Sequence, residues 1–141
     1  MPSPELAPAR VDITPAASAL VERLAVRHGP LLFHQSGGCC DGSSPMCFPR
    51  DDFIVSEADV HLGWVADTPF YMSVSQYAYW AHTHLTVDVV PGRGAGFSVE
   101  APEGVRFVIR SRLFTDDEEE LLTPAPTGNR HDPAPGDQHA R

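Results

Sequence analysis

The stretch Ala78–Phe114, AYWAHTHLTVDVVPGRGAGFSVEAPEGVRFVIRSRLF, decides the fold. Side chains two apart on a strand share a face. An extended Thr83–Val90 therefore puts Leu85, Val87 and Val89 on an apolar face, and His82, His84, Thr86 and Asp88 on the opposite, polar one. Val105–Phe114 alternates in the same way, with Val105, Phe107, Ile109 and Leu113 inward and Arg106, Arg110 and Arg112 outward. Between the two, the glycines of Pro91–Gly96 suit a hairpin or wide turn, Phe97–Glu100 reads as a returning strand, and residues 100–104 read as another turn.

Upstream, Thr14-Pro15 reads as an N-cap followed by proline at the first helical position, and Gly29-Pro30 as a stop. A helix over Pro15–His28 with Leu20, Val21, Leu24 and Ala25 as its buried stripe is the prediction. Leu31–Gln35 reads as a buried strand. Residues 36–50, SGGCCDGSSPMCFPR, read as a loop that holds every cysteine. Phe53–Ser56, Val60–Ala66 and Phe70–Val74 read as further strands, and Ser75–Trp80 is ambiguous between helix and strand. Some seven strands after one helix predict a mainly all-β fold, a small barrel or sandwich preceded by one N-terminal helix.

A chain of 141 residues with 42% apolar composition is long enough for one hydrophobic core. The expected organisation is a flexible arm over residues 1–13, a single β domain over 14–115 and an acidic, Pro-rich disordered tail over 116–141. The formal charge is −9, with eight basic against twelve acidic residues up to 115 and two against seven beyond it. So acidic a chain is a poor partner for nucleic acid. It has neither a membrane-length apolar run nor the basic-then-apolar start of a secretory signal, so a cytoplasmic protein is expected. The aromatic cluster Phe70, Tyr71, Tyr77, Tyr79 and Trp80 and the exposed edges of a small barrel point to a homo-oligomer.

Chemistry is expected in two places. Imidazoles at i and i+2 on a strand have Cα atoms ~6.8 Å apart, close enough for His82 and His84 to share one ion. Asp88 stands too far along the same strand to join them. Cys39, Cys40 and Cys47 are an odd number of thiols in one loop, which argues against a disulfide framework and for metal binding or redox chemistry. A bridge between the adjacent pair Cys39 and Cys40 would be strained and easily reduced. The candidate metal ligands are His82, His84, Cys39, Cys40 and Cys47, with His34 and Glu100 as possible additions. A mixed thiolate and imidazole set favours a transition metal ion, zinc, iron, nickel or copper. The alternative is a thiol redox or accessory protein without catalysis of its own. The glycines at 92–96 lack a G-K-[ST] and a following helix, and no serine stands in a G-x-S-x-G elbow, so phosphate-loop and serine-hydrolase readings fall away.

The H-x-H strand resembles the first motif of the cupins, and Gly96, Pro102 and Gly104 match part of their second. Phe107 stands where that motif has a histidine. A cupin-like barrel with a nonstandard metal site is what this resemblance implies. More extensively, FHQSGGCCDGSSPMCFP, DVHLGW, PFYMSVSQY, HTHLTVDVVPGRGAGFSVE and EGVRF closely resemble, from about Leu31 to Phe114, the bacterial family catalogued as domain of unknown function 779. Its members are often encoded beside aldehyde dehydrogenases. The resemblance thus implies an accessory role in aldehyde or alcohol metabolism, with an aldehyde dehydrogenase as a possible partner. The family commonly carries glutamine where His84 stands here, which makes His82 the stronger of the two histidine candidates.

Overall fold

The computed structural model describes residues 7–35, 42–92 and 98–128. The helix α1, Pro15–His28, forms where the capping signals place it. Thr14 Oγ1 accepts the Ala17 N–H at 3.2 Å, and Gly29, at φ 82°, ends the helix with its N–H on the Ala25 carbonyl. Ala17, Leu20, Val21 and Leu24 form its buried stripe.

Among the described residues, seven strands make two sheets. Before α1 lies β1, Val11–Ile13; after it come β2, Leu31–Gln35, β3, Met46–Pro49, β4, Asp59–Val65, β5, Thr68–Ser73, β6, Thr83–Pro91, and β7, Val105–Leu113. The smaller sheet has the order β1-β6-β7, with β1 parallel to β6 and β7 antiparallel to it. The larger has the order β3-β2-β5-β4, in which only the central β2–β5 pair is parallel. The fold is mainly β, as expected, and is sandwich-like; no closed barrel forms among the described strands.

The inner faces of both sheets and the stripe of α1 share one core. Phe33 ties them together: its ring lies 5.8 Å from that of Phe70 in its own sheet and meets Phe107 of the other edge-on at 4.9 Å. Leu85 and Val87 of β6 and Phe107 and Ile109 of β7 point into this core, as their alternation predicts. Leu113, expected inward, is 73% exposed, because β7 runs past the core at that end. Where β1 and β4 come closest, Gly63 has φ 154°, and a Cβ there would stand 3.2 Å from Val11 Cγ1.

Several segments differ from their predicted form. Met46–Pro49, placed in the cysteine loop, is β3: Pro45 precedes the strand and Pro49 is its last residue, as proline can be on an edge strand. Phe53–Ser56 forms no strand; it crosses the outer face of the larger sheet. Ser98–Glu103 is a turn ending in a single 3₁₀ turn, Ala101–Glu103, rather than a returning strand, while Phe97 and the glycine turn at 93–97 lie outside the described residues. Ser75–Trp80 lies in a helix, α2, Val74–Trp80, capped by Ser73.

Both ends of the chain pack more than their composition implies. Val11–Ile13, expected in the arm, pairs with Leu85–Val87. The acidic block forms α3, Asp116–Leu121, because Thr115 and Glu118 make a reciprocal capping box and Arg112 holds Glu118 through two hydrogen bonds. Beyond it the chain lies along β4, with His61 N–H on Pro126 O and Gly128 N–H on Asp59 O. No helix of the described residues is long and apolar enough to cross a membrane.

Candidate functional site

The larger sheet has a second, outward face, and its register gathers the buried His34, Asp59 and His61 there. His34 of β2 is the cross-strand partner of Tyr71 in β5, and Tyr71 is the partner of His61 in β4. Residues opposite one another share a face, so the three form one row across the sheet while Phe33, Phe70 and Met72 point into the core. A bulge between His61 and Gly63 resets the alternation and brings Trp64 onto the same outer face, 5.5 Å from the His61 ring. The segment after β3 covers this row: Phe53 lies 4.6 Å from the His34 ring and stacks on Phe48 at 5.5 Å.

At the centre is a buried pair. His34 Nε2 and Asp59 Oδ1 are 2.7 Å apart. The other oxygen of Asp59 accepts the Ser56 backbone N–H at 3.0 Å, which fixes the carboxyl group from the far side. With Asp59 as an acceptor, the proton on Nε2 is assigned to this bond, and the lone pair then sits on Nδ1. Nδ1 has no hydrogen-bond partner among the described residues. Tyr71 lies within electrostatic reach of both Arg50 and Asp59; burial raises its phenol above the ordinary range, Arg50 opposing and Asp59 reinforcing the shift.

The predicted ligands among the described residues, His82, His84 and Cys47, lie apart. His82 precedes β6 and is exposed, its Nδ1 3.0 Å from Glu119 Oε1 of α3. His84 faces away from the core and sets Nε2 2.9 Å from Asp12 Oδ2 of β1. Asp88, on the same strand, is committed to Arg110 at 2.8 Å and to Thr14, and the hydrogen bond from Arg110 chiefly lowers its carboxyl below the usual range. Cys47 is fully buried in β3; burial, with Glu100 adding to it, pushes its thiol far up, so it behaves as a small core side chain. Glu100 is buried behind it, hydrogen-bonded by the Ser98 hydroxyl and the Phe107 N–H. Cys39 and Cys40 lie outside the described residues. Among the described residues no group of three His, Cys, Asp or Glu side chains is arranged to hold a metal ion.

His34 stands out in the sequence only as a possible addition to the site, and Asp59, His61 and Arg50 do not stand out there at all. The one available signal is alternation: in Val60–Ala66 the histidine falls opposite the apolar set, and His34 and Gln35 are the polar members of the strand Leu31–Gln35. Residues 20–113 match the model of a family described as Domain of unknown function (DUF779), a span that contains the whole outward face and the cysteine loop. A comparison with the curated proteins finds no match.

Proposed function

The chain belongs to the family described as Domain of unknown function (DUF779), and from the His34–Asp59 pair we propose that it binds a transition metal at the root of its cysteine loop. The observation that carries this reading is the orientation of His34. Histidines that ligate metals almost always give their second ring N–H to a carboxylate, a backbone carbonyl or water, which fixes the tautomer and raises the basicity of the ligating nitrogen. Asp59 stands in that position at 2.7 Å and leaves Nδ1 as the donor atom.

Cys39 and Cys40 follow His34 by five and six residues in the chain, and their thiolates are the sulfur donors of this reading. Such sulfur and imidazole donors select zinc, iron, nickel or copper over magnesium or calcium. Of the residues first considered, Cys47 serves the core, and His82 and His84 are engaged with Glu119 and Asp12 beside the smaller sheet, so His34 is the better imidazole donor. A metal with an open position there would polarise a carbonyl or activate water. A bound aldehyde, the chemistry implied by the family's neighbours, is a substrate class for such a centre.

The test is elemental analysis of the purified full-length protein. Near-stoichiometric metal is expected, with His34→Gln and the double variant Cys39→Ser/Cys40→Ser both losing it. Asp59→Asn should weaken affinity about 10–100-fold, whereas His82→Ala should leave the content unchanged. Circular dichroism of the cysteine variant keeps the result independent of any folding defect in His34→Gln. A metal-free protein whose vicinal thiols titrate at low pH would overturn the proposal in favour of a thiol redox or accessory role.

A further inference from the structure

A cavity of about 310 Å³ opens on the outward face between the sheet and the segment that crosses it. Its walls are Phe53, Trp64, Pro69 and Tyr71, Ile54 stands at its rim, and Arg50 is its charged lining residue. Ligand pockets begin at about this size and are built in this way, from apolar and aromatic walls with few polar groups.

Arg50 is held in place without being neutralised. Its Nε donates to Leu31 O at 3.3 Å and Nη2 to Asp67 O at 3.1 Å, and the guanidinium lies 5.6 Å from the centre of the Trp64 ring. No carboxylate pairs with it among the described residues, and Nη1 is left without a partner. A guanidinium fixed by carbonyls and stacked on an indole loses little freedom when it binds, and its planar fork fits a carboxylate. The larger, more open depression on the other side of Arg50, about 650 Å³, is lined by Glu22 and Asp67, which oppose an anion. In a chain of net charge −9, affinity for an anion has to come from a local arrangement of this kind.

We infer that this cavity binds a small molecule that joins a carboxylate to a flat apolar body, the carboxylate on Arg50 and the body between Trp64, Phe53 and Tyr71. The site borders the proposed metal ligand, since Phe53 stacks on His34 and Tyr71 is its cross-strand partner, but binding there needs no metal.

The experiment is an amide and indole NMR titration of the chelator-treated full-length protein with benzoate and with benzyl alcohol as its uncharged counterpart. Benzoate should bind saturably, with a Kd on the order of 1 mM for so small a ligand, and shift the Trp64 indole and the amides of Phe53–Val55. Benzyl alcohol should bind several-fold more weakly. Ile54→Glu, at a position 89% exposed and therefore tolerant of change, should weaken benzoate about 5-fold and benzyl alcohol markedly less. Arg50→Gln should abolish the preference. Equal binding of the two probes, saturation that moves only resonances elsewhere, or a preference that survives Arg50→Gln in a folded protein would overturn the inference. Because metal is absent throughout, failure of the metal proposal leaves these outcomes unchanged.

Discussion

The His34–Asp59 pair sets a quantitative expectation. Asp59→Ala removes the acceptor of His34 Nε2 at 2.7 Å and that of the Ser56 N–H at 3.0 Å, both at a site where His34 and Asp59 are each less than a tenth exposed. A buried donor left without its acceptor costs about 1–3 kcal/mol, so losing the acceptor of both donors places Asp59→Ala at about 4 kcal/mol. With a urea m-value of about 2 kcal/mol/M for a chain of this size, a loss of about 4 kcal/mol moves the unfolding midpoint down by about 2 M. His34→Phe keeps the stacking on Phe53 and should cost a similar amount through the stranded carboxyl. The double variant then removes both polar groups at once, and should be more stable than the sum of the singles by about 3 kcal/mol. Urea denaturation followed by circular dichroism measures all four proteins. A midpoint shift below about 0.5 M for Asp59→Ala, or singles that simply add, would show that the pair is solvated and not the anchor described above.

Other outcomes follow from the core and the caps. Phe33→Ala, which unties the two sheets, should cost about 3–5 kcal/mol in the same assay. Burial raises the Glu100 carboxyl above its ordinary value of 4.5, so the folded state holds its proton more tightly than the unfolded chain does. Stability from this group is therefore full below pH 4.5 and declines as pH rises through the folded value; Glu100→Gln should flatten that decline in a pH series of urea midpoints. The hydrogen bonds from Arg112 bring Glu118 down to about 2, so its contribution has the opposite sense. It is present above 4.5 and fades as pH falls toward 2, seen as fraying of α3 by hydrogen exchange. Thr115→Ala should weaken the same helix by about 1 kcal/mol without moving the global midpoint.

The sequence made local order legible and long-range order obscure, for physical reasons that individual residues show. Helix α1 could be read because its start, stripe and stop lie within sixteen residues, Thr14-Pro15 at one end and Gly29 at the other. The strands β6 and β7 could be read because one face of each is buried in the core, which imposes alternation. By contrast, β1 is three residues long and exists only through pairing with a strand more than seventy residues away, so no local pattern marks it. Helix α3 did carry a signal, Thr115 followed three residues later by Glu118, but the run of like charges hid it. The candidate site is obscure for a similar reason. His34 and Asp59 are 25 residues apart in sequence and meet diagonally across β5, whereas the H-x-H spacing that drew attention applies only within a strand, and β6 begins at Thr83.

The borders of the sheets have a consequence for handling the protein. The outer side of β3 is filled by Ser98 and Val99, which bond both backbone groups of Cys47; that of β7 is filled by Gly42 and Ser43 at Ile109; that of β4 is filled by Pro126–Gly128. None of these plugs is itself a strand, yet each denies neighbouring molecules a place to add one at the positions it bonds. A version trimmed after Leu122 would uncap β4, and a bare border of that sort is a template on which further copies stack into insoluble fibres. Expression vectors and tags should therefore leave the last plug intact.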